Sequence, residues 1–159
     1  MAEQVEVAEL VKVAVEDKKS GVAYYGHLAK KAGDSALRTM FAGLAEQERF
    51  HQARFERMLA DMGGYAPREE YPGEYMAYLR AMTSGRAFPD VATALQAAED
   101  CPDDAWAVDT ALTFERDTLV LMNELRALVR PKDQPVVDEL INEERSHVVA
   151  LTAAKEKMG

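Results

Sequence analysis

The sequence predicts an all-α protein, a four-helix bundle whose second and third helices are joined by a long crossover. Four long segments are rich in Ala, Leu, Glu, Lys and Met, keep proline out of their interiors and repeat apolar residues at three-and-four spacing. Turn and breaker residues fall between those segments. Two of the three connections are short, whereas the middle one runs from about 64 to 101.

The expected helices span 3–32, 35–63, 102–130 and 134–157. Gly33-Asp34 ends the first and caps the second, Gly63-Gly64 ends the second, Pro102 opens the third and Pro131 closes it. Short connections make antiparallel neighbours of helices one and two and of helices three and four. The crossover carries Pro67, Pro72, Gly73, Gly85 and Pro89, with two segments, Glu74 to Met82 and Asp90 to Glu99, that read as short helices across the bundle. With 159 residues, 48% of them hydrophobic, the chain is expected to form a single domain, 1–159, around one core.

Composition narrows the function. Lys and Arg number 19 against 28 Asp and Glu, a net charge of -9, which repels phosphate backbones and anionic lipid and argues against nucleic-acid or membrane partners. The acidic N-terminal stretch and the lack of a long apolar run point to a cytoplasmic protein. The single cysteine, Cys101, forms neither an internal disulfide nor a CxxC metal pair, so electrons for any redox chemistry are expected from an external donor. Cys101 precedes a helix start, where the dipole would lower its pKa, but it has no partner residue.

The informative feature is what interrupts the apolar stripes. On the second helix the stripe runs Leu37, Phe41, Leu44, then Glu48 and His51, then Phe55, Met58 and Met62. The third carries Glu115 between Leu112 and Leu119. The fourth carries Glu144 and His147 between Ile141 and Leu151. The first runs Val7, Val11, Ala14, Lys18, Gly21, Tyr25, Leu28 and Ala32, so its interruption is a lysine. Each interruption lies near the middle of its helix, and in an antiparallel bundle all four reach one level.

Three carboxylates and two imidazoles at one buried level need shared positive charge, which a metal ion supplies. In Glu48-Arg-Phe-His51 and Glu144-Arg-Ser-His147, residues i and i+3 leave the same helix face and can address one ion or adjacent ions. Oxygen and nitrogen ligands without thiolate suit iron or manganese, with zinc as an adventitious occupant. One such motif on a Glu-rich helix arises easily by chance. Two, each in mid-stripe and matched by Glu115, do not.

These residues resemble the rubrerythrin branch of the ferritin-like superfamily over nearly the whole chain. Phe41-Ala-Gly-Leu-Ala-Glu-Gln-Glu48-Arg-Phe-His51 looks like that family's second-helix motif, Ala111-Leu-Thr-Phe-Glu115-Arg-Asp its third and Ile141-Asn-Glu-Glu144-Arg-Ser-His147 its fourth. Lys18-Lys-Ser-Gly21-Val-Ala-Tyr24-Tyr25-Gly-His-Leu28-Ala29 is similar to the first, with Lys18 where the family has a glutamate. Glu16 is turned roughly 200 degrees away from that position, and Asp17 is one residue off with a shorter arm.

The resemblance implies a non-haem iron protein holding one or two ions on Glu48, His51, Glu115, Glu144 and His147, with Tyr25 as a donor beside the site. By the same analogy the missing glutamate would serve the ion that His51 serves, so a single ion on Glu48, Glu115, Glu144 and His147 is the favoured arrangement. In the competing arrangement, Lys18 folds aside and water completes a second site. Thr118 stands where rubrerythrins carry an extra third-helix glutamate and Met122 where they carry a second aromatic. The implied activity is a peroxide- or dioxygen-linked oxidoreductase with a degenerate di-iron site. The alternatives are a metal-poor binding or assembly module, or iron storage. Family members often pair, so a homodimer is expected, with Tyr65, Tyr71, Tyr75 and Tyr78 as interface residues or as packing against their own bundle. His27 lies off the stripe and reads as a surface residue. Met58, Met62, Met76, Met82 and Met122 read as core fillers.

Overall fold

A computed structural model describes residues 7–63, 77–78, 81–82 and 84–158. Four long helices form the bundle: α1 (Val7–Lys31), α2 (Ser35–Met62), α4 (Asp104–Leu128) and α5 (Gln134–Lys157), with a shorter α3 (Val91–Glu99) between α2 and α4. A 3-10 turn, Pro131–Asp133, joins α4 to α5.

Side-chain caps fix three of the helix starts. Asp34 accepts from the Leu37 amide at 3.0 Å, Asp90 from Thr93 at 2.7 Å and Asp103 from Trp106 at 2.8 Å. Each such cap contributes about 1 kcal/mol by satisfying an otherwise orphaned amide. Gly63 ends α2 with φ +54, a conformation that costs glycine nothing. Asp104 accepts from the amides of Gly33 and Asp34 at 2.8 and 2.9 Å, pinning the α1/α2 turn to the start of α4. Pro102 therefore lies outside α4, and the helix expected to open there begins after the Asp103 cap.

The core divides into two apolar clusters. One gathers Val7, Val11, Phe55, Met58, Leu121, Leu125, Val137 and Leu140, the other Tyr24, Leu28, Leu37, Phe41, Val108, Leu112, Phe114 and Leu151. The first cluster takes the start of α1 and α5 but the end of α2 and α4, so α1 and α5 run one way and α2 and α4 the other. Because α2 and α4 are parallel, the chain must return the length of the bundle between them, which is why the crossover is long.

The crossover enters the core at its C-terminal part. Ala87 donates its amide to Asp117 Oδ2 at 2.8 Å, and Phe88 is buried with its ring 4.7 Å from that of Tyr24 and 5.0 Å from that of Phe114. The expected short helix at Asp90 to Glu99 is α3, which packs on α1. Of the other expected segment, 77, 78, 81 and 82 are described and are helical. Tyr65, Tyr71, Tyr75 and Met76 lie outside the described residues. Tyr78 is exposed and hydrogen-bonds Glu124 at 2.9 Å. Met58, Met62 and Met122 are core residues as expected, but Met82 is exposed. No helix among the described residues is long and apolar enough to cross a membrane.

Candidate metal centre

Between the two apolar clusters lies a buried polar layer contributed by all four long helices. Lys18, Glu48, His51, Glu115, Thr118 and Glu144 are fully buried, Asp17 is 2% exposed and His147 3%. The convergence expected from stripe periodicity is thus present in three dimensions. Glu16, by contrast, is on the surface beside Lys19.

Lys18 reaches the middle of this layer. Its Nζ lies 3.1 Å from Glu48 Oε2, donates to Glu144 Oε1 in a short contact and is 3.9 Å from Asp17 Oδ2. Glu48 can approach α1 because Gly21, one turn beyond Lys18, has no side chain. A Cβ there would lie 2.9 Å from Glu48 Cδ. Asp17 is turned to the outside of the layer, where it accepts from Thr118 Oγ1 at 2.8 Å and faces Arg86 of the crossover at 3.7 Å.

The histidines are placed unequally. Nδ1 of His147 lies 3.2 Å from Glu144 Oε2, 3.5 Å from Glu115 Oε1 and 4.0 Å from Glu48 Oε1. Glu48, Glu115, Glu144 and His147 each offer a ligand atom within 4.8 Å of the others. His51 is not in that group: its Nδ1 faces Glu144 Oε1 at 2.8 Å, the same oxygen that Lys18 holds. The ammonium therefore occupies space that the His51 side of the layer would otherwise offer to an ion. The two imidazoles stack, 5.9 Å apart and 12° from parallel.

On the far side of each ring, Nε2 finds an outer partner on the opposite helix. His51 Nε2 contacts Glu143 Oε2 and His147 Nε2 contacts Gln47 Oε1. Held from outside by Gln47, the ring turns its Nδ1 toward three carboxylates. Only a cation or a proton reconciles that arrangement.

The carboxylates carry the same demand. Glu48 Oε1 and Glu115 Oε2 are buried without a hydrogen-bond partner, each at a cost on the order of 1–3 kcal/mol unless something else pairs with them, whereas Glu48 Oε2 has only the Lys18 ammonium beside it. Burial, then repulsion from Glu144, pushes Glu48 and Glu115 well above the ordinary carboxylate range, with Lys18 opposing. Burial acts the same way on Glu144, but Lys18 and hydrogen bonds from Glu115, His147 and His51 outweigh it and hold Glu144 well below that range. Burial pulls Lys18 down, and its carboxylate neighbours, Glu144 foremost, more than restore it, so the ammonium stays charged.

Tyr25 closes the layer toward the second cluster. Its hydroxyl donates to Glu115 Oε1 at 2.6 Å, and its ring lies against Phe41 and Phe114. Burial and the facing carboxylates push its phenol well above 10. The residues set aside on sequence grounds stay outside: His27 is half-buried on α1 and Cys101 hydrogen-bonds the Asp103 carbonyl at 3.1 Å. Burial raises the Cys101 thiol, contrary to the lowering expected from a helix dipole.

Charge tests the fit to a metal. In their ligating, ionised form Glu48, Glu115 and Glu144 against Lys18 leave two negative charges, while Asp17 is offset by Arg86. One divalent cation balances that remainder, and oxygen ligands with one imidazole suit iron or manganese. The residues present fit a metal ion.

Sequence reasoning set Asp17 aside and missed Gln47 and Glu143. All three sit immediately before an interrupting stripe residue: Asp17 before Lys18, Gln47 before Glu48, Glu143 before Glu144. A polar residue one position N-terminal to Lys18, Glu48 and Glu144 was the available signal, though Glu115 and His51 each follow a phenylalanine. Arg86 and Thr118 carried none, since their roles depend on how the crossover and α4 pack.

Fold and site together define a ferritin-like four-helix bundle with a carboxylate-histidine cluster of the kind that could hold metal. The chain belongs to the rubrerythrin family, whose model matches residues 9–155. It is similar in structure to a Thermotoga maritima protein described as a ferritin-like diiron-carboxylate protein, at 22% identity and a TM-score of 0.73, with 100% of both chains covered. No curated protein matches the chain.

Proposed function

We propose that the polar layer binds one divalent metal ion, iron by preference, on Glu48, Glu115, Glu144 and His147, and that Lys18 stands in electrostatically for a second. The observation that carries this reading is the position of the Lys18 ammonium between Glu48 and Glu144. A di-iron carboxylate site balances four glutamates with two divalent ions. Exchanging one glutamate for lysine changes the protein charge by two, the charge of one such ion. Manganese has the same ligand preferences, and zinc would be a redox-inert occupant.

We read the protein as a redox metalloprotein acting on peroxide or dioxygen with an external electron donor. A bound iron ion would supply one-electron redox chemistry and a binding point for the oxidant. The chain contributes the rest. The four ligands hold the centre, the apolar clusters above and below exclude water, and Gln47 fixes the His147 ring from outside. The phenolic oxygen of Tyr25 lies 2.6 Å from a Glu115 oxygen, placed to exchange its proton with that carboxylate. Peroxide consumption by iron-loaded protein, with a small-molecule reductant, tests the activity. Turnover above that of free iron, lost in His147→Ala, is expected. Turnover no greater than free iron would contradict it.

A second reading is a metal-free polar network serving binding or assembly. The ion pairs of Lys18 favour it, but two buried carboxylate oxygens, Glu48 Oε1 and Glu115 Oε2, that have neither a hydrogen bond nor the ammonium count against a self-satisfied network.

A further inference from the structure

The layer is sealed on most sides. The apolar clusters close it above and below. The α1/α2 seam is closed by Glu48 packed on Gly21, and α4 packs closely on α5. The α1/α4 side is covered by Asp17, Thr118 and the crossover, and its outermost charged group is the cation Arg86.

The fourth seam differs. Among neighbouring long helices, α2 and α5 are the most loosely apposed. Here the polar layer continues outward through His51 to Glu143, whose side chain is 37% exposed, and through His147 to the exposed Gln47. One turn away, the cation Arg54 is paired with Glu139 at 3.3 Å, so it adds little net positive charge beside Glu143. The same seam thus presents the anionic oxygen of Glu143 at the surface end, the buried His51 Nε2 directly behind it and the four candidate ligands at the inner end.

We propose that divalent cations reach the layer through the α2/α5 seam, with Glu143 Oε2 and His51 Nε2 as the capture point and Glu144, which touches both His51 and His147, as the next carboxylate inward. Lys18 makes this role open to His51: the ammonium shares the Glu144 oxygen that its Nδ1 faces, so the imidazole is not among the four clustered ligands. Capture requires the contact between Glu143 and His51 to open. Glu143 then acts on the rate of loading and not on the final affinity, since it is absent from the loaded site. The inference rests on the metal-binding reading above.

Stopped-flow uptake of Co(II), followed by its visible absorption, separates the two. Gln at 143 keeps an oxygen acceptor for His51 Nε2 and removes only the charge, so Glu143→Gln is expected to fold and to load roughly fivefold or more slowly, because a local anion focuses incoming cations. Glu143→Lys should be slower still, both slowed variants should approach wild type as salt screens the seam, and the end-point occupancy should be unchanged. Glu56→Gln, on an exposed part of α2, should load at the wild-type rate. Wild-type kinetics in Glu143→Gln and Glu143→Lys would overturn the entry route, as would a slowed variant whose final occupancy is lost, because Glu143 would then be part of the site itself. Failure of the wild type to take up Co(II) would instead overturn the metal reading on which the route depends.

Discussion

The Nζ of Lys18 lies 3.1 Å from Oε2 of Glu48 at the centre of a fully buried layer, where a stripe position that packs apolar residues elsewhere on α1 carries a charge. Burying that ammonium is tolerable only because Glu144, Glu48, Asp17 and Glu115 surround it. The same pairing fixes how much positive charge the layer can still accept.

The closeness of Glu48 to α1 depends on Gly21. In Gly21→Ala, the added methyl would meet Glu48 Cδ at 2.9 Å and Cγ at 3.0 Å. Overpacking of that kind costs about 1–3 kcal/mol, against a gain of about 1 kcal/mol from alanine in a helix. The expected net effect is a loss of up to about 2 kcal/mol with weakened metal binding as Glu48 moves. Gly26→Ala, with nothing within 4 Å of the new Cβ, should be neutral or stabilising by up to about 1 kcal/mol. Thermal melts and metal titration of the two variants check this, and equal behaviour would remove Gly21 from the account.

His51 and His147 are interchangeable in the sequence motif but not in the structure. Removing His147, one of the four clustered ligands, should weaken metal binding at equilibrium at least tenfold. Removing His51 should leave the equilibrium affinity within about threefold, since Lys18 shares the Glu144 oxygen it faces. Isothermal titration of His147→Ala and His51→Ala with Co(II) is the check. Equal losses would show that both histidines are ligands and that Lys18 moves aside.

Without metal, Glu48 and Glu115 titrate well above their ordinary value of 4.5, so the folded protein holds protons that the unfolded chain has released. Stability from these groups is complete below about pH 4.5 and is lost as pH rises toward their folded pKa values. The opposite contribution of Glu144 is complete above that pH, and Lys18 contributes throughout the range below 10.5, so neither reverses the slope between about pH 5 and 8. The metal-free melting temperature should therefore fall with rising pH in this window. Metal binding requires the ionised carboxylates, so its affinity should rise with pH and its stabilisation should offset the fall. Melting curves at several pH values, with and without Co(II), read both slopes.

Much of this was legible in the sequence because helical periodicity converts position into depth. The mid-stripe places of Lys18, Glu48, His51, Glu115, Glu144 and His147 implied a common buried level, and all six are there. The start of α4 at Asp104 instead of Pro102 was less legible, because Asp103 competes as a cap and wins. The division of labour between the histidines was not legible at all. It depends on side-chain reach: Lys18 extends to the Glu144 oxygen that His51 faces, and the rings turn their Nε2 atoms to Glu143 and Gln47 across the α2/α5 seam. The burial of Asp17 depends on Arg86, which a long crossover brings back to the layer.

The central claim is that Lys18 takes the electrostatic place of one metal ion. Metal analysis of protein purified without chelator from iron-supplied cells, run beside Lys18→Glu, tests it most directly. One ion per chain in the wild type and two in Lys18→Glu are expected. Two ions in the wild type, or the same number in both, would contradict it.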